Sequence, residues 1–384
     1  MKTRNITQYP LQRILLVLTA FLSFVIQYPQ PVPRNYNNMA SSYVSSTSMQ
    51  VPLQGITVVI TGATSGLGLS LSKKLHSMGG TIVAVGRSES KLKSLSNDLQ
   101  NERVHTILAD FKDLDSISNA ANKIRSSFKT IDYLVCNAGI TAAEDATPQN
   151  FDPVFAVNYL SHVVLTEKLI PNLKRSKLDK GSRIINISST MHMQVDGDDL
   201  VPSLHDPPVA SQPLTGYVHS WKSYGNSKLA QIYYARSLSR RLNQNNKNNI
   251  KVLSICPSWV ATNIAGSMLK YFLDIFAFQS DGFGISPILF AMFDTSGGDT
   301  DDFIGSNTLT AGSKFFKLLE SLLRLGKWPL VRLTFTSVGA GIVLIFQKFF
   351  AKVGYSLTSV EGFNMVYQDA LYDWSLDALK PWLG

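Results

Sequence analysis

The sequence predicts an α/β fold built on a doubly wound, parallel sheet. Three observations carry this. Short β-branched runs recur along the chain, stretches with helical spacing separate them, and a glycine-rich turn joins the first run to the first helical stretch. Of the 384 residues, 45% are apolar and only 16% charged, so the chain can bury a sizeable core and is not a disordered polymer.

The elements begin near residue 55. The strand runs are ITVVI (56–60), TIVAVG (81–86), VHTILAD (104–110), YLVCNAG (133–139), RIINISS (183–189) and KVLSICPS (251–258). Helical stretches such as LSLSKKLHSM and KLAQIYYARSLSRRL lie between them. Strand–helix–strand units cross over right-handedly, which lays helices on both faces of one sheet. The two cysteines, Cys136 and Cys256, fall inside strand runs, which argues against a disulfide framework and for a reducing compartment. The six histidines show no ligand spacing with cysteine or carboxylate, so no metal site is expected.

Residues 14–26 (ILLVLTAFLSFVI) are uncharged and apolar, and Lys2, Arg4 and Arg13 precede them. This is the pattern of a secretory signal or a signal anchor. The run is shorter than the roughly 20 residues of a full span. No small-x-small cleavage site follows it, which favours an uncleaved anchor. Residues 35–50 are rich in Ser, Asn and Thr and contain no acid, as in a linker; an organellar transit peptide is the alternative. The chain thus divides into an N-terminal anchor or targeting segment (1–50) and one domain (51–384). The net charge is +9, and no acid occurs before Glu89. That bias suits an anionic membrane surface or a phosphate-bearing ligand, although a solvated basic face gives the same count. No nucleic-acid partner is expected, and the sequence leaves the oligomeric state open.

Directly after the first run, Thr61-Gly62-Ala63-Thr64-Ser65-Gly66-Leu67-Gly68 opens a helix. Glycines serve where the backbone turns sharply, where it approaches a pyrophosphate and where helix packs on strand. The free amides at the helix start then face the phosphates. At the end of the second strand stands Gly86-Arg87, where an NAD site places an acid for the ribose 2′-hydroxyl. Arginine there accommodates a 2′-phosphate, so NADP(H) is expected; an ordinary surface arginine is the alternative. Asp110 ends the third strand, either to accept from the adenine amino group or as a turn residue.

Tyr224-Gly-Asn-Ser-Lys228 opens the helical stretch before the sixth strand. A Tyr and a Lys at this spacing arise by chance about once in such a chain, so the pair means little alone. Order gives it weight. The glycine-rich turn, Asn137-Ala138-Gly139, Asn158, Ser188-Ser189 and Tyr224/Lys228 come at successive points of the alternation.

Together TGATSGLG, NAG, NISS, YGNSK and PSWVAT resemble the signature set of the short-chain dehydrogenase/reductase family over residues 53–265. LYDWSLDAL resembles the closing helix of its retinol-dehydrogenase-like members. The resemblance implies a single Rossmann-type domain, a nicotinamide cofactor and a catalytic tetrad of Asn158, Ser189, Tyr224 and Lys228. It also implies cofactor contacts from Gly62, Thr64, Ser65, Gly66, Leu67, Gly68, Asn137, Ala138, Gly139, Pro257, Val260 and Thr262, besides Tyr224 and Lys228. Ser189 is preferred to Ser188 because strand alternation lets only one face the cleft.

The chemistry explains these residue types. Hydride transfer to a carbonyl leaves an alkoxide that must gain a proton as it forms. A tyrosine serves if its pKa falls from about 10 toward working pH. The Lys228 cation, one helical turn on, and the nicotinamide would favour its phenolate. Ser189 would hold the substrate oxygen, and Asn158 would position a water leading protons to Lys228.

Three departures from the simplest family pattern stand out. The step from Ser189 to Tyr224 is long and carries Asp196-Gly-Asp-Asp199, read as an exposed turn rather than a calcium loop. It also carries Tyr217, which has Trp221 where a lysine would be needed. Pro257-Ser258 replaces the usual proline–glycine turn. Residues 266–335 form an enlarged segment with Phe272, Phe276, Phe278, Phe283, Phe290 and Phe293, followed by the basic amphipathic stretch Lys314–Trp328. In the family this region covers the substrate, which implies an apolar one; packing on the core is the alternative. The run 333–346 is read as a buried helix rather than a second span.

The expected protein is a membrane-associated NADP(H) oxidoreductase at the endoplasmic reticulum or a lipid droplet. Its substrate is a carbonyl or alcohol of a lipid-like molecule such as a retinoid, sterol or long-chain aldehyde. A plastid reductase of a pigment or metabolite is the alternative enzyme. A catalytically idle NADP(H)-sensing module is the alternative from another class, and the intact tetrad argues against it.

Overall fold

A computed structural model describes residues 53–257 and 364–384 with short gaps at 100–101, 144, 177, 203–205, 213–216 and 244–249. Between them it describes 260–261, 278–279, 283–293, 303–306 and 353–356. Six parallel strands carry the fold: β1 (Thr57–Thr61), β2 (Thr81–Gly86), β3 (Val104–Leu108), β4 (Tyr133–Cys136), β5 (Ser182–Ile187) and β6 (Ile250–Ile255). They lie in the order β3-β2-β1-β4-β5-β6. The strand order reverses between β1 and β4, which opens a crevice at their carboxyl ends. Two further strands, β9 (Phe303–Ser306) and β10 (Val353–Ser356), extend the sheet beyond β6, the last of them antiparallel. A separate short pair joins β7 (Val260–Ala261) to β8 (Phe278–Gln279).

The sequence runs match these strands but overshoot β3, β4, β5 and β6 at their carboxyl ends. Residues 137–139, 188–189 and 256–257 leave the sheet there. They are apolar or small enough to read as strand, yet the chain turns out at these points toward the crevice.

Alternating strand residues feed two cores. Val59, Val83, Leu134, Ile184 and Val252 pack beneath α3 (Leu114–Ser127), α4 (Ser161–Leu173), α5 (Tyr217–Asn243) and α7 (Met365–Ala378). Val58, Ile60, Ile82, Val135, Ile185 and Leu253 pack on the other face against α1 (Gly66–Ser77), α2 (Glu89–Leu99) and α6 (Ser286–Phe293). Burial on both faces is what gives these strands their continuous β-branched composition.

The last long helix, α7, closes the outer side of α4 and α5. Tyr372 stacks on Tyr234 with ring centroids 5.6 Å apart, and both hydroxyls donate to Glu167 at 3.1 and 2.8 Å. Burial raises the pKa of Glu167, while the two tyrosine hydrogen bonds oppose that shift. Tyr159 bonds Ser375 at 2.8 Å, and Arg240 pairs with Asp369 at 2.7 Å. A four-residue helix, α8 (Lys380–Leu383), follows.

Two expectations change here. Phe290 and Phe293 lie on α6 inside the second core, with Phe293 edge-on to Tyr133 at 6.2 Å, so these two rings do not cover a substrate. The acidic stretch 196–199 is only partly a free turn. Asp196 and Asp198 are exposed, but Asp198 accepts from Tyr367 of α7 at 2.7 Å. Asp199 pairs with Lys222 at 2.8 Å and Asn226 at 3.2 Å, one on each side of Tyr224 in the sequence.

Among the described residues, no helix is long and apolar enough to cross a membrane. The runs 14–26, 314–328 and 333–346, together with Phe272 and Phe276, lie outside the described residues; of Phe278 and Phe283 only the backbone is described.

Candidate active site

At the carboxyl end of β1 the chain turns through Gly62 at φ +65° and Gly66 at φ +50°, a region glycine enters without strain. A β-carbon on Gly68 would meet the Gly62 carbonyl oxygen at 2.3 Å and Asn137 Nδ2 at 2.6 Å, so only glycine lets α1 approach this closely. The turn after β4 is stitched to the same place. Thr61 Oγ1 accepts the amides of Asn137 and Ala138 at 2.8 and 2.9 Å, and Asn137 Nδ2 donates to the Thr61 carbonyl at 2.8 Å. Leu67 is buried in the second core and anchors the helix start.

Ser65 precedes α1 in an extended conformation, its side chain makes no cap bond, and no acid occupies the first turn. An anion therefore meets neither a competing side-chain cap nor a repelling charge at this helix start. The residues present fit a dinucleotide pyrophosphate. Thr64 lies beside Gly86, 3.5 Å from where a β-carbon would stand. Arg87 follows β2 and is exposed, as a ligand of a 2′-phosphate must be. Asp110 is exposed after β3, where its Oδ1 accepts the Lys112 amide at 3.0 Å. In the chain by itself it therefore behaves as the turn residue. Pro257 is half-buried after β6, Val260 lies in β7, and Thr262 falls outside the described residues.

The candidate acid and its lysine lie together on α5. Lys228 Nζ stands 5.3 Å from the centre of the Tyr224 ring and donates to the Ile187 carbonyl at 2.8 Å. The adjacent serines part company. Ser188 is buried and its hydroxyl donates to the Lys228 carbonyl at 2.8 Å. Ser189 is half-buried at the head of a 3-10 turn (Thr190–Gln194), and its side chain hydrogen-bonds Tyr224. Gly225 admits this turn: a β-carbon there would meet Val195 Cγ1 at 2.7 Å and the Met191 carbonyl at 3.0 Å.

Electrostatics differ from the sequence expectation. Burial pushes Tyr224 up to about 12, against the hydrogen bond from Ser189, which favours the phenolate. The same burial brings Lys228 down to about 7. Without a cofactor's charge, the desolvation that disfavours the phenolate also weakens the cation meant to stabilise it.

Asn158 sits in a π-helical turn (Ala156–Leu160) leading into α4. Its Nδ2 donates to the Ile140 carbonyl and to Ser227 Oγ, both at 2.9 Å, while its Oδ1 accepts the Ile140 amide at 2.8 Å. The main-chain carbonyl accepts from Gln231 Nε2 at 2.7 Å and from His162 Nδ1 at 3.0 Å. Both amide hydrogens and the carbonyl already have protein partners. Asn158 and Lys228 nonetheless converge: a β-carbon on Gly139 would lie 3.2 Å from Asn158 Oδ1 and 3.7 Å from Lys228 Nζ.

Sequence reasoning passed over His162 and Gln231. Their signal was present, since each is a polar residue inside an apolar helical stretch (SHVVLT and KLAQIYYA). Burial lowers His162 to about 4, so the ring is neutral.

The profile of the short chain dehydrogenase family matches residues 56–196. Human retinol dehydrogenase 13 is 34% identical over 197 residues, which cover 50% of this chain and 55% of that protein. Mouse retinol dehydrogenase 12 is 30% identical over 236 residues, covering 60% of this chain and 68% of that protein. The chain thus spans between about half and two thirds of these relatives' lengths. A short chain dehydrogenase from Burkholderia cenocepacia in complex with NADP superposes with a TM-score of 0.51 at 21% identity, covering 66% of this chain and 97% of that one. A 3-ketoacyl-(acyl-carrier-protein) reductase from Brucella melitensis complexed with NADH gives 0.50 at 22% identity with the same coverage, and both structures speak to the fold. By its relatives, its fold and its signature residues alike, the chain belongs to the short-chain dehydrogenase/reductase family, among the retinol-dehydrogenase-like members.

Proposed function

We propose that this protein is an NADP(H)-dependent oxidoreductase acting on a carbonyl or alcohol of an apolar, lipid-like molecule such as a retinoid, a sterol or a long-chain aldehyde. The observation that carries the reading is the buried Tyr224–Lys228 pair, with the Ser189 side chain bonded to Tyr224, on the helix that borders the crevice. The names of the relatives support an apolar substrate, and the exposed Arg87 supports NADP(H) over NAD(H).

The bound nicotinamide supplies the hydride in reduction and receives it in oxidation. In reduction Ser189 holds the substrate oxygen by hydrogen bond, and Tyr224 gives that oxygen its proton as charge develops. Lys228, held by the Ile187 carbonyl, presents its ammonium to the phenolate left behind and can return a proton to it. Oxidation reverses each transfer. Gly62, Gly66 and Gly68 with the start of α1 would cradle the cofactor's pyrophosphate. Asn137, Ala138 and Gly139 would face the nicotinamide, and the family resemblance assigns further cofactor contacts to Pro257, Val260 and Thr262. The first 50 residues serve as a membrane anchor, and residues 51–384 form the enzyme domain.

The test is turnover by detergent-solubilised full-length protein, following NADPH absorbance with a panel of apolar aldehydes and ketones. Tyr224→Phe removes only the transferable proton, so its rate should fall at least a hundredfold while NADPH affinity stays within twofold. A Phe variant keeping more than a tenth of the wild-type rate would show that Tyr224 is not the acid.

A further inference from the structure

Successive residues of a helix are turned by about 100°, and every fourth falls nearly in line, so α5 presents four strips of side chains around Tyr224. Tyr224 and Lys228 form the strip that carries the candidate chemistry. On one side of it Gly225 admits the 3-10 turn Thr190–Gln194. On the other side Ser223 donates to Asp152, and Ser227 accepts from Asn158 Nδ2 at 2.9 Å. Lys222 and Asn226 form the strip opposite, and both reach Asp199.

Asp199 is a fixed point. It sits in a 3-10 turn (Gly197–Leu200) whose Leu200 is buried in the first core, and the neighbouring Asp198 is held by Tyr367 of α7 at 2.7 Å. Asp199 Oδ2 takes Lys222 Nζ at 2.8 Å and Asn226 Nδ2 at 3.2 Å, while Oδ1 lies 3.1 Å from the same Nζ. Lys222 is half exposed, and an ion pair of that kind adds little to stability. Asn226 is buried, and its Oδ1 has no hydrogen-bond partner. An apolar residue would bury there at less cost. What this asparagine adds is the grip on Asp199.

We propose that Asp199 is a positioning residue that, through Asn226 and Lys222, fixes the roll of α5 and so aims Tyr224 and Lys228 into the crevice. The proposal rests on the oxidoreductase reading above. Asp199 grips the strip opposite the reacting one, so it acts through the helix and not on a reacting atom. A misplacement on the order of 1 Å can cost about a hundredfold in rate, so a small roll is enough.

Three variants of the full-length protein test it. Asp199→Ala should lower kcat at least tenfold, with NADPH affinity and substrate KM within twofold of wild type. Asn226→Leu breaks the same grip from the other side and removes the unpaired buried acceptor. It should lower kcat at least fivefold while Tm stays level or rises. The double variant should be no slower than Asp199→Ala within twofold, because both changes break one contact. A purely structural role would move Tm and leave kcat unchanged at temperatures below unfolding. Wild-type kcat in either single variant, or losses that multiply in the double, overturns the proposal. If Asp199→Ala does not fold, Asn226→Leu decides alone.

A measurement independent of turnover checks the clamp itself. Amide hydrogen exchange over residues 222–228 should quicken at least tenfold in Asn226→Leu, while exchange in β1 to β6 stays as in wild type. Unchanged exchange over that turn overturns the clamp whatever the activity. Absence of turnover in wild-type protein overturns the oxidoreductase reading instead.

Discussion

Gly68 lies so close to Gly62 that a β-carbon on the first would stand 2.3 Å from the carbonyl oxygen of the second. Neither side can yield cheaply, because the oxygen is backbone, a β-carbon is fixed rigidly to its own backbone, and Gly62 already holds φ +65°. Gly68→Ala should therefore push α1 away from the turn and misalign its amides. We expect NADPH affinity to drop more than tenfold and Tm to fall by several degrees, read by fluorescence titration and thermal melts. An alanine variant with wild-type affinity would mean that the phosphates bind elsewhere.

Arg87 follows the last residue of β2 and projects into solvent. Arg87→Asp would replace the proposed partner of the 2′-phosphate with a repelling charge. The expected outcome is a loss of at least tenfold in NADPH affinity with little change for NADH, measured by direct competition. Wild-type protein that prefers NADH would remove arginine's assigned role.

Lys228 has its pKa brought from 10.5 down to about 7 by burial. The sign follows from linkage. The unfolded chain holds this proton up to about 10.5, whereas the folded chain gives it up near 7, so burial of the ammonium costs stability below 7. That cost fades as pH rises from about 7 to 10.5. Lys228→Met removes the charge and keeps the length. It should raise Tm by a few degrees at pH 7 in cofactor-free protein, with the gain shrinking toward pH 10, and abolish turnover. A lower Tm at pH 7 would show that the bond to the Ile187 carbonyl outweighs the cost of burying the charge.

On the proposed membrane reading, the N-terminal apolar run and the basic stretch 314–328 would be two routes to a membrane surface. Deleting residues 1–50 should release much of the protein from the tightly bound fraction and leave a salt-sensitive remainder. Activity on a water-soluble aldehyde should persist, because every candidate site residue lies beyond the deletion. Full-length protein found wholly in the soluble fraction after gentle lysis would refute the anchor.

Periodicity made the sheet legible, because strands buried on both faces leave unbroken β-branched runs such as TIVAVG and RIINIS. Local order in the sequence was enough to draw Tyr224, Lys228 and Ser189 to one place. Other features depend on distant partners. The docking of α7 rests on Glu167 and Tyr372, which are 205 residues apart, and no spacing rule connects them. Phe290 and Phe293 looked like a substrate cover because an apolar helix reads alike whether it faces a ligand or a core. The pKa values of Tyr224 and Lys228 depend on how deeply both are buried, which composition does not reveal. His162 and Gln231 stood out only as polar letters in apolar helices, and their meaning came from the π turn they share.

The closing of α4 and α5 by α7 also sets a schedule for synthesis. Tyr159 meets Ser375 across 216 residues, and Ser118 meets the Trp382 carbonyl across 264. Strands β1 to β6 and the catalytic helix are made long before these partners exist. Until then the face that carries Tyr159, Tyr234 and Glu167 is bare, with an acid and two phenols waiting beside apolar side chains. Such long-range closure folds late, and the intermediate before it is prone to aggregate. The nascent chain should therefore be protease-sensitive on the outer side of α4 and α5 until its final helix is released, and should lean on chaperones for that interval.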